Sequence, residues 1–128
     1  MKKSYAKDVQ LLMKILQNQV KMAKAIETFN CNQNNLDQNE MAFDLCAFYM
    51  SQIGEAAKLL TDKTKKSFNY FNADCTKYFR NIVDHVYEKV NKGYLKAFVF
   101  SMISKEAVNE IKNRIKYCNE HAKSSNTN

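Results

Sequence analysis

The side chains best suited to chemistry lie close together, in the segment Phe-Arg-Asn-Ile-Val-Asp-His-Val-Tyr at 79–87. His85 is one of two histidines, and an imidazole with an ordinary pKa of about 6.5 exchanges protons at neutral pH. Arg80 carries a planar guanidinium that can hold a phosphate through two parallel hydrogen bonds. Asn81, Asp84 and Tyr87 add an amide, a carboxylate and a phenol. The segment therefore holds groups for proton transfer and for stabilising negative charge.

Helical geometry divides these groups between two adjacent faces. At about 100° per residue, Arg80, Asp84 and Tyr87 share one face, and Asn81 and His85 share the next. Because Arg80 and His85 are then about 140° apart, a joint site needs a long reach of the arginine, a distorted helix end or a second copy of the helix across a dimer axis. A purely structural explanation is also open, since Arg80 and Asp84 are spaced as a surface ion pair.

The elements that must position this segment are predicted to be helices. A first helix at 4–29 has apolar residues at three- and four-residue steps, and its predicted stripe comprises Val9, Leu12, Leu16, Val20, Ala23 and Ile26. Leu11, Ile15 and Met22 lie beside this stripe and widen it. A second helix at 37–61 contains the most apolar stretch of the chain and begins at a capping-box-like pair, Asp37 and Glu40. The Lys-rich stretch at 62–67 is predicted to be a solvated connection.

The second half of the chain continues this pattern. A third helix at 74–90 carries the polar segment, and Gly93 is predicted to cap its carboxyl end. Helical periodicity resumes over 94–117 with an interruption near 101–104, where Ser104 can begin a final helix. Zero Pro and two Gly in 128 residues leave too little turn punctuation for many short strands. We therefore predict one all-α domain over 1–128, an up-and-down bundle of four to five helices with a frayed polar tail from about 121 to 128.

Charge and cysteine spacing indicate the partners and the compartment. Twenty Lys and Arg against thirteen Asp and Glu give a net charge of +7, which favours RNA, DNA or an acidic protein as partner, although solvated Lys-rich helix surfaces have the same balance. The four cysteines lack metal-ligand spacing, and Cys46 lies among apolar residues, as a buried thiol does. No apolar run approaches the roughly 20 residues of a membrane span, and none follows the basic start as in a signal peptide. We expect a cytoplasmic protein that binds no membrane, metal or cofactor.

Two stretches of the chain resemble a known family. Arg80, followed directly by Asn81, then His85 and Tyr87 at this spacing, is similar to the signature of HepT-like ribonuclease toxins in the HEPN superfamily. The stretch Gln-Ile-Gly-Glu-Ala-Ala-Lys-Leu-Leu at 52–60 resembles the second stretch typical of that family and lies at the expected distance upstream. The resemblance covers roughly 5–118. The chain departs from the family's pattern at Val86, where members often carry Gly or Asp.

The resemblance implies an endoribonuclease that needs no metal. His85 would exchange a proton with a ribose 2′-hydroxyl or a leaving oxygen, a contribution of roughly 10²–10⁴-fold in rate. Arg80 would hold the phosphate oxygens and stabilise developing charge, and Asn81 would position the scissile phosphate or orient His85. The resemblance also implies a homodimer whose groove holds both copies of these groups, which fits their separation of about 140° on one helix.

The resemblance further implies a partner, a minimal nucleotidyltransferase antitoxin that attaches AMP to the tyrosine of the motif, here Tyr87. The added negative charge beside Arg80 would block RNA. Asp84 and Glu55 are the predicted supporting carboxylates, and Glu55 either pairs with Arg80 or orients His85, or else faces solvent. The alternative prediction is a non-catalytic helical partner, or nucleotide-binding subunit, of a nucleotidyltransferase, in which the same helix docks its partner without cutting RNA.

Overall fold

The computed structural model describes residues 2–75 and 92–124. Within these ranges the chain forms α1 (Lys2–Thr28), α2 (Glu40–Lys58), α3 (Asp62–Lys65), α4 (Lys92–Met102) and α5 (Lys105–Ser124). Single turns of 3-10 helix lie at Leu36–Gln38 and Ala73–Cys75, and the described residues contain no strand. The prediction of an all-α helical bundle is confirmed.

Helix α1 packs along both α2 and α5 and supplies much of the core. Its buried side is made of Asp8, Val9, Leu12, Ile15, Asn18, Gln19, Met22, Ala25 and Ile26. Ile15 and Met22, predicted to widen the stripe, are buried, whereas Val20 is 56% exposed and Ala23 is also exposed. The true buried face is therefore rotated from the predicted stripe toward Ile15 and Met22. The cause is physical: three polar residues occupy core positions, which a stripe traced through apolar residues alone leaves out.

Helix α2 is central, as its apolar sequence predicted, and contacts α1, α4 and both 3-10 turns. Six of its nine buried residues are Ala, Gly or Cys. The nine are Ala42, Phe43, Cys46, Ala47, Met50, Ile53, Gly54, Ala56 and Ala57. Small side chains let neighbouring backbones come close, so α2 can be packed from more than one direction.

The amino end of α2 differs from the prediction. The helix begins after Asn39, whose side chain accepts a hydrogen bond from the N–H of Ala42 at 3.0 Å. Asp37 instead lies in the preceding 3-10 turn and forms an ion pair with Lys96 at 3.4 Å. The predicted Asn-rich break after α1 is present, and Asn30 has the left-handed φ of 53° that asparagine tolerates better than most residues.

The second half contains one confirmed and two revised predictions. Ser104 begins α5, and its hydroxyl oxygen accepts a hydrogen bond from the N–H of Ala107 at 3.2 Å. Gly93 lies in the first turn of α4, not at a carboxyl-terminal cap, and no glycine among the described residues has a positive φ. Helix α5 includes His121 and continues to Ser124, past the predicted start of the frayed tail.

The Lys-rich connection after α2 is more ordered than the sequence suggested. It forms the short helix α3, which begins at Thr61 as its cap, and Thr64 within it has no exposed surface. Thr64 is buried because its hydroxyl has a partner on α1, described below. Lys63 and Lys66 are exposed, while Thr61 and Thr64 hold the stretch against α1.

Candidate functional site

Most of the predicted site lies beyond the part of the chain that the structure describes. The residues outside it are Arg80, Asn81, Asp84, His85 and Tyr87. The chain enters this segment from the 3-10 turn Ala73–Cys75 and leaves it into α4. Ala73 and Leu95, near the two ends, both belong to the hydrophobic core. The flanks of the predicted catalytic segment are thus anchored in one core.

Glu55 is the one predicted site residue that the structure describes, and it is exposed on α2. It lies in a stripe of exposed side chains that includes Met41 (67% exposed), Leu45 (36%), Phe48 (57%) and Leu59 (52%). At about 100° per residue, these five positions fall within an arc of about 80°. We call this surface the α2 stripe. The carboxylate of Glu55 is therefore presented outward among apolar groups.

A cleft of about 600 Å³ lies beside the stretch that leads into the predicted catalytic segment. The described residues that line it come from α3, the loop after it and α4, and they are Asp62, Lys65, Lys66, Phe68, Asn69, Tyr70, Phe71, Asn72, Ala73, Asp74, Phe98 and Ser101. We call it the loop cleft. Its lining combines aromatic rings with two ammonium groups, two carboxylates and two carboxamides.

Glu110 on α5 fixes the wall of the loop cleft. One carboxylate oxygen accepts hydrogen bonds from the N–H groups of Tyr70 and Phe71, each at 2.8 Å, and the other accepts from the N–H of Asn69 at 2.6 Å. Successive N–H groups that converge on one anion form a nest. Phe68 packs edge-to-face on Phe71 with ring centroids 5.2 Å apart. The loop is therefore held by both hydrogen bonds and packing.

A second polar cluster lies where α1, α3 and α5 meet. The carboxylate of Asp8, only 1% exposed, accepts from the Thr61 N–H at 3.1 Å and from the Thr61 hydroxyl at 2.6 Å. It also accepts from the Thr64 hydroxyl at 2.6 Å. The Thr64 oxygen in turn accepts from Nε of Arg114 at 3.1 Å. A buried carboxylate with three donors is satisfied, so this cluster stabilises the fold.

Arg114 connects this cluster to a smaller cavity of about 350 Å³. That cavity is lined by Ser67, Phe68, Glu110, Asn113, Arg114 and Tyr117. The guanidinium carbon of Arg114 lies 4.3 Å from the Tyr117 ring centroid, and its buried Nη2 has no hydrogen-bond partner among the described residues. His121 stacks on Tyr117 at 3.7 Å, and its Nδ1 lies 2.8 Å from the Tyr117 carbonyl oxygen. Since a carbonyl only accepts, that nitrogen carries the proton.

The buried cysteines are not poised for chemistry. Burial, together with the nearby Cys31, raises the pKa of the Cys46 thiol to about 12. Burial also raises the pKa of Cys118, although Arg114 and a hydrogen bond with Thr64 oppose that shift. Because the thiolate is the nucleophile and metal ligand, both thiols are inert at neutral pH.

The described residues form neither a metal site nor a membrane-spanning helix. Over 2–75 and 92–124, no group of three or more His, Cys, Asp or Glu side chains is placed to hold a metal ion. In the same ranges, no helix combines the length and apolar character that crossing a bilayer requires.

Sequence reasoning missed the residues that shape the loop cleft. Glu110 gave no local signal, because its partners lie 39 to 41 positions earlier in the chain. A signal for the cleft itself was present in the run Lys-Lys-Ser-Phe-Asn-Tyr-Phe at 65–71, which interleaves basic and aromatic residues.

The chain matches no protein-family model, no curated protein and no solved structure.

Proposed function

We propose that the chain is a metal-independent endoribonuclease toxin of the HepT-like type in the HEPN superfamily. The observation that carries this proposal is the spacing of Arg80, Asn81, His85 and Tyr87, together with the matching stretch at 52–60. His85 is the general acid or base at the ribose 2′-hydroxyl or the leaving oxygen. Arg80 holds the phosphate and stabilises its developing charge, and Asn81 positions it.

The bundle and the charge support this proposal. A HepT-like toxin requires an all-helical domain, and the described residues form one. A net charge of +7 attracts a polyanion such as RNA with a salt-dependent affinity. The flanks of the segment at 76–91 lie in the core, which is suitable for a site that must hold an arginine and a histidine in fixed positions.

The α2 stripe is the surface through which we propose that two copies form the homodimer. Its apolar members, Met41, Leu45, Phe48 and Leu59, extend over most of α2 and are exposed. The helix carries three acidic residues and one lysine, in a chain of net charge +7. Two copies repel each other least through such a face, so the second copy is the occupant that we propose. Glu55 would then lie within the interface, where it can reach groups of either chain.

Neutralisation is proposed to act at Tyr87. A nucleotidyltransferase antitoxin would transfer AMP from ATP to its phenolic oxygen: the oxygen bonds to the α-phosphorus, pyrophosphate leaves and the phenolic proton is released. Asp84 shares the predicted helix face with Tyr87. The negative phosphate of the adduct would pair with the guanidinium of Arg80, and the bulk of the attached nucleotide would block the binding of RNA.

The test is cleavage of a labelled RNA by purified protein in EDTA, with wild type beside His85→Ala and Arg80→Ala. We expect cleavage by wild type and a loss of at least about 100-fold in each variant. His121→Ala is the matched control, because it removes the other histidine of the chain. Circular dichroism of each variant verifies that the fold is kept.

The outcomes separate the two candidate functions. Equal cleavage by wild type and His85→Ala contradicts the proposed mechanism and indicates a contaminant or another site. No cleavage by wild type, after mass spectrometry has excluded AMP on Tyr87, contradicts the nuclease and favours the non-catalytic partner of a nucleotidyltransferase. In that case His85→Ala leaves RNA and growth unaffected while binding of the transferase changes.

A further inference from the structure

We propose that the loop cleft binds one nucleotide of a single-stranded RNA, beside the bond that the protein cuts. This inference rests on the proposed function, and it adds a substrate subsite made of residues outside the predicted catalytic segment. Its occupant is defined by three features of the cleft: its aromatic wall, its balanced charges and its fixed loop.

The aromatic wall suits a nucleobase. Tyr70 is 62% exposed, and the other rings that line the cleft are Phe71, which is 3% exposed, and the half-buried Phe68 and Phe98. An exposed ring next to a fixed aromatic pair offers a flat apolar face at low cost in side-chain entropy. Stacking on such faces is the usual means by which proteins bind unpaired bases without reading their sequence. A volume of about 600 Å³ lies within the range of small-molecule sites.

The charges in the lining favour a nucleotide over a free polyanion. Lys65 and Lys66 supply two ammonium groups, and Asp62 and Asp74 supply two carboxylates. A cleft of zero net side-chain charge gives little attraction to a bare phosphate cluster. It fits a ligand with one phosphate for the lysines and with hydroxyl donors for the carboxylates. The 2′-hydroxyl of a ribose is such a donor, and it distinguishes RNA from DNA.

The loop that carries Tyr70 is organised before any ligand arrives. Glu110 accepts the N–H groups of three successive loop residues, all within 2.8 Å. Binding therefore costs little ordering of the backbone, which is the condition under which a single stacking contact has a measurable effect on affinity.

The cleft is also close to the proposed catalytic residues along the chain. Asp74, the lining residue nearest in sequence to Arg80, precedes it by six positions. A segment of that length spans at most about 22 Å even when fully extended. A short oligonucleotide covers such a distance, so one strand can occupy the loop cleft and the catalytic groups together.

The experiment measures binding of a fluorescent RNA hexamer by anisotropy in EDTA, in a His85→Ala background so that the RNA stays intact. Tyr70→Ala should weaken binding on the order of 5–100-fold, whereas Tyr70→Phe keeps the ring and should stay within about 3-fold. Tyr70 is exposed, so neither change unfolds the chain. The DNA hexamer of the same sequence should bind more weakly than the RNA, because it lacks the 2′-hydroxyl.

Two variants that each remove one positive charge test the contact with the phosphate. Lys66→Ala should reduce the slope of log affinity against log salt by about 0.7, the value for one phosphate of a single strand. Lys24→Ala removes the same charge from an exposed position on α1 and should leave the slope unchanged.

The results distinguish this inference from the proposed function. RNA cleavage by wild type with unchanged affinity in Tyr70→Ala overturns the subsite and leaves the nuclease standing. Tyr70-dependent RNA binding without cleavage by wild type supports the subsite and overturns the nuclease. Equal affinity for RNA and DNA overturns the assignment of the carboxylates to the ribose, and no RNA binding by the parent chain overturns the subsite.

Discussion

The hydroxyl of Thr64 donates a hydrogen bond of 2.6 Å to the carboxylate of Asp8, although 56 positions separate the two residues. Both are buried, at 0% and 1% exposure. Through this contact the first helix of the bundle holds the Lys-rich connection that leads to the loop cleft. The bond therefore links the stability of the fold to the placement of the cleft.

Removal of this carboxylate should destabilise the protein. Asp8→Ala leaves the buried hydroxyl of Thr64 and the partly buried hydroxyl of Thr61 without their acceptor, which should lower the free energy of unfolding by about 3 kcal/mol. Urea denaturation followed by circular dichroism measures the change. Glu27→Ala, at an exposed position near the other end of α1, should change it by less than about 0.5 kcal/mol. Equal effects of the two variants would contradict a special role for Asp8.

The nest around Glu110 predicts local protection of three amides. In Glu110→Gln the side-chain NH₂ group meets backbone N–H donors, so part of the hydrogen bonding is lost. Exchange of the amide protons of Asn69, Tyr70 and Phe71 should then accelerate about tenfold or more, as measured by NMR. Glu106→Gln alters an exposed residue of the same helix and should leave these three rates as they are.

The α2 stripe predicts how two copies meet. Phe48 is 57% exposed in the middle of the stripe, and Phe48→Glu places a charge at the centre of the proposed interface. Sedimentation velocity should show a dimer for wild type and a monomer for this variant. Val20→Glu is the control, since Val20 is 56% exposed on α1. Dissociation by Val20→Glu alone would place the interface on α1 instead.

The ion pair between Asp37 and Lys96 should contribute little. Its atoms are 3.4 Å apart and its side chains are 30% and 23% exposed, so water screens the attraction. A double-mutant cycle with alanine at both positions should give a coupling of about 0.5 kcal/mol or less, which decreases in 1 M salt. A coupling several times larger would mean that the pair is better shielded than its exposure indicates.

The raised pKa of the Cys46 thiol predicts a loss of stability at alkaline pH. The pKa of its thiol is raised from 9.0 to about 12 by folding, so the folded chain keeps a proton that the unfolded chain releases. The thiol's contribution is fully present below pH 9.0 and is lost as the pH rises toward about 12. Over that window it should reduce the free energy of unfolding by up to about 1.4 kcal/mol per pH unit. The free energy of unfolding is measured against pH for wild type and Cys46→Ala. The same pH dependence in both proteins would refute this effect.

Periodicity predicted the helices better than their buried faces. The break at Ser104 and the central position of α2 followed from local patterns. The rotation of the α1 face did not, because Gln19 is buried through a hydrogen bond from its Nε2 to the carbonyl oxygen of Met102, at 2.8 Å and 83 positions away. A polar side chain with a distant partner is indistinguishable, in the sequence, from one that faces water.

The candidate site likewise combines residues that a local sequence pattern predicts with residues that only distant contacts bring together. The motif from Arg80 to Tyr87 is local, so the sequence alone suffices to select it as a hypothesis. The loop cleft is shaped by contacts between α5 and a loop some forty residues earlier, and only its basic and aromatic composition was visible beforehand. At α2 the predicted cap was Asp37, but the helix is capped by Asn39, two positions later, which directly precedes its first turn.

The bond between Glu110 and the loop also sets an order of events during protein synthesis. The acceptor for the N–H groups of residues 69–71 is added to the chain 39 to 41 residues after them. At ribosomal rates this delay is on the order of 2–8 s, during which those N–H groups bond to water. The loop thus acquires its final shape only after residues 80–87 have been made, so a newly made chain holds its proposed catalytic residues before it has a formed place for RNA.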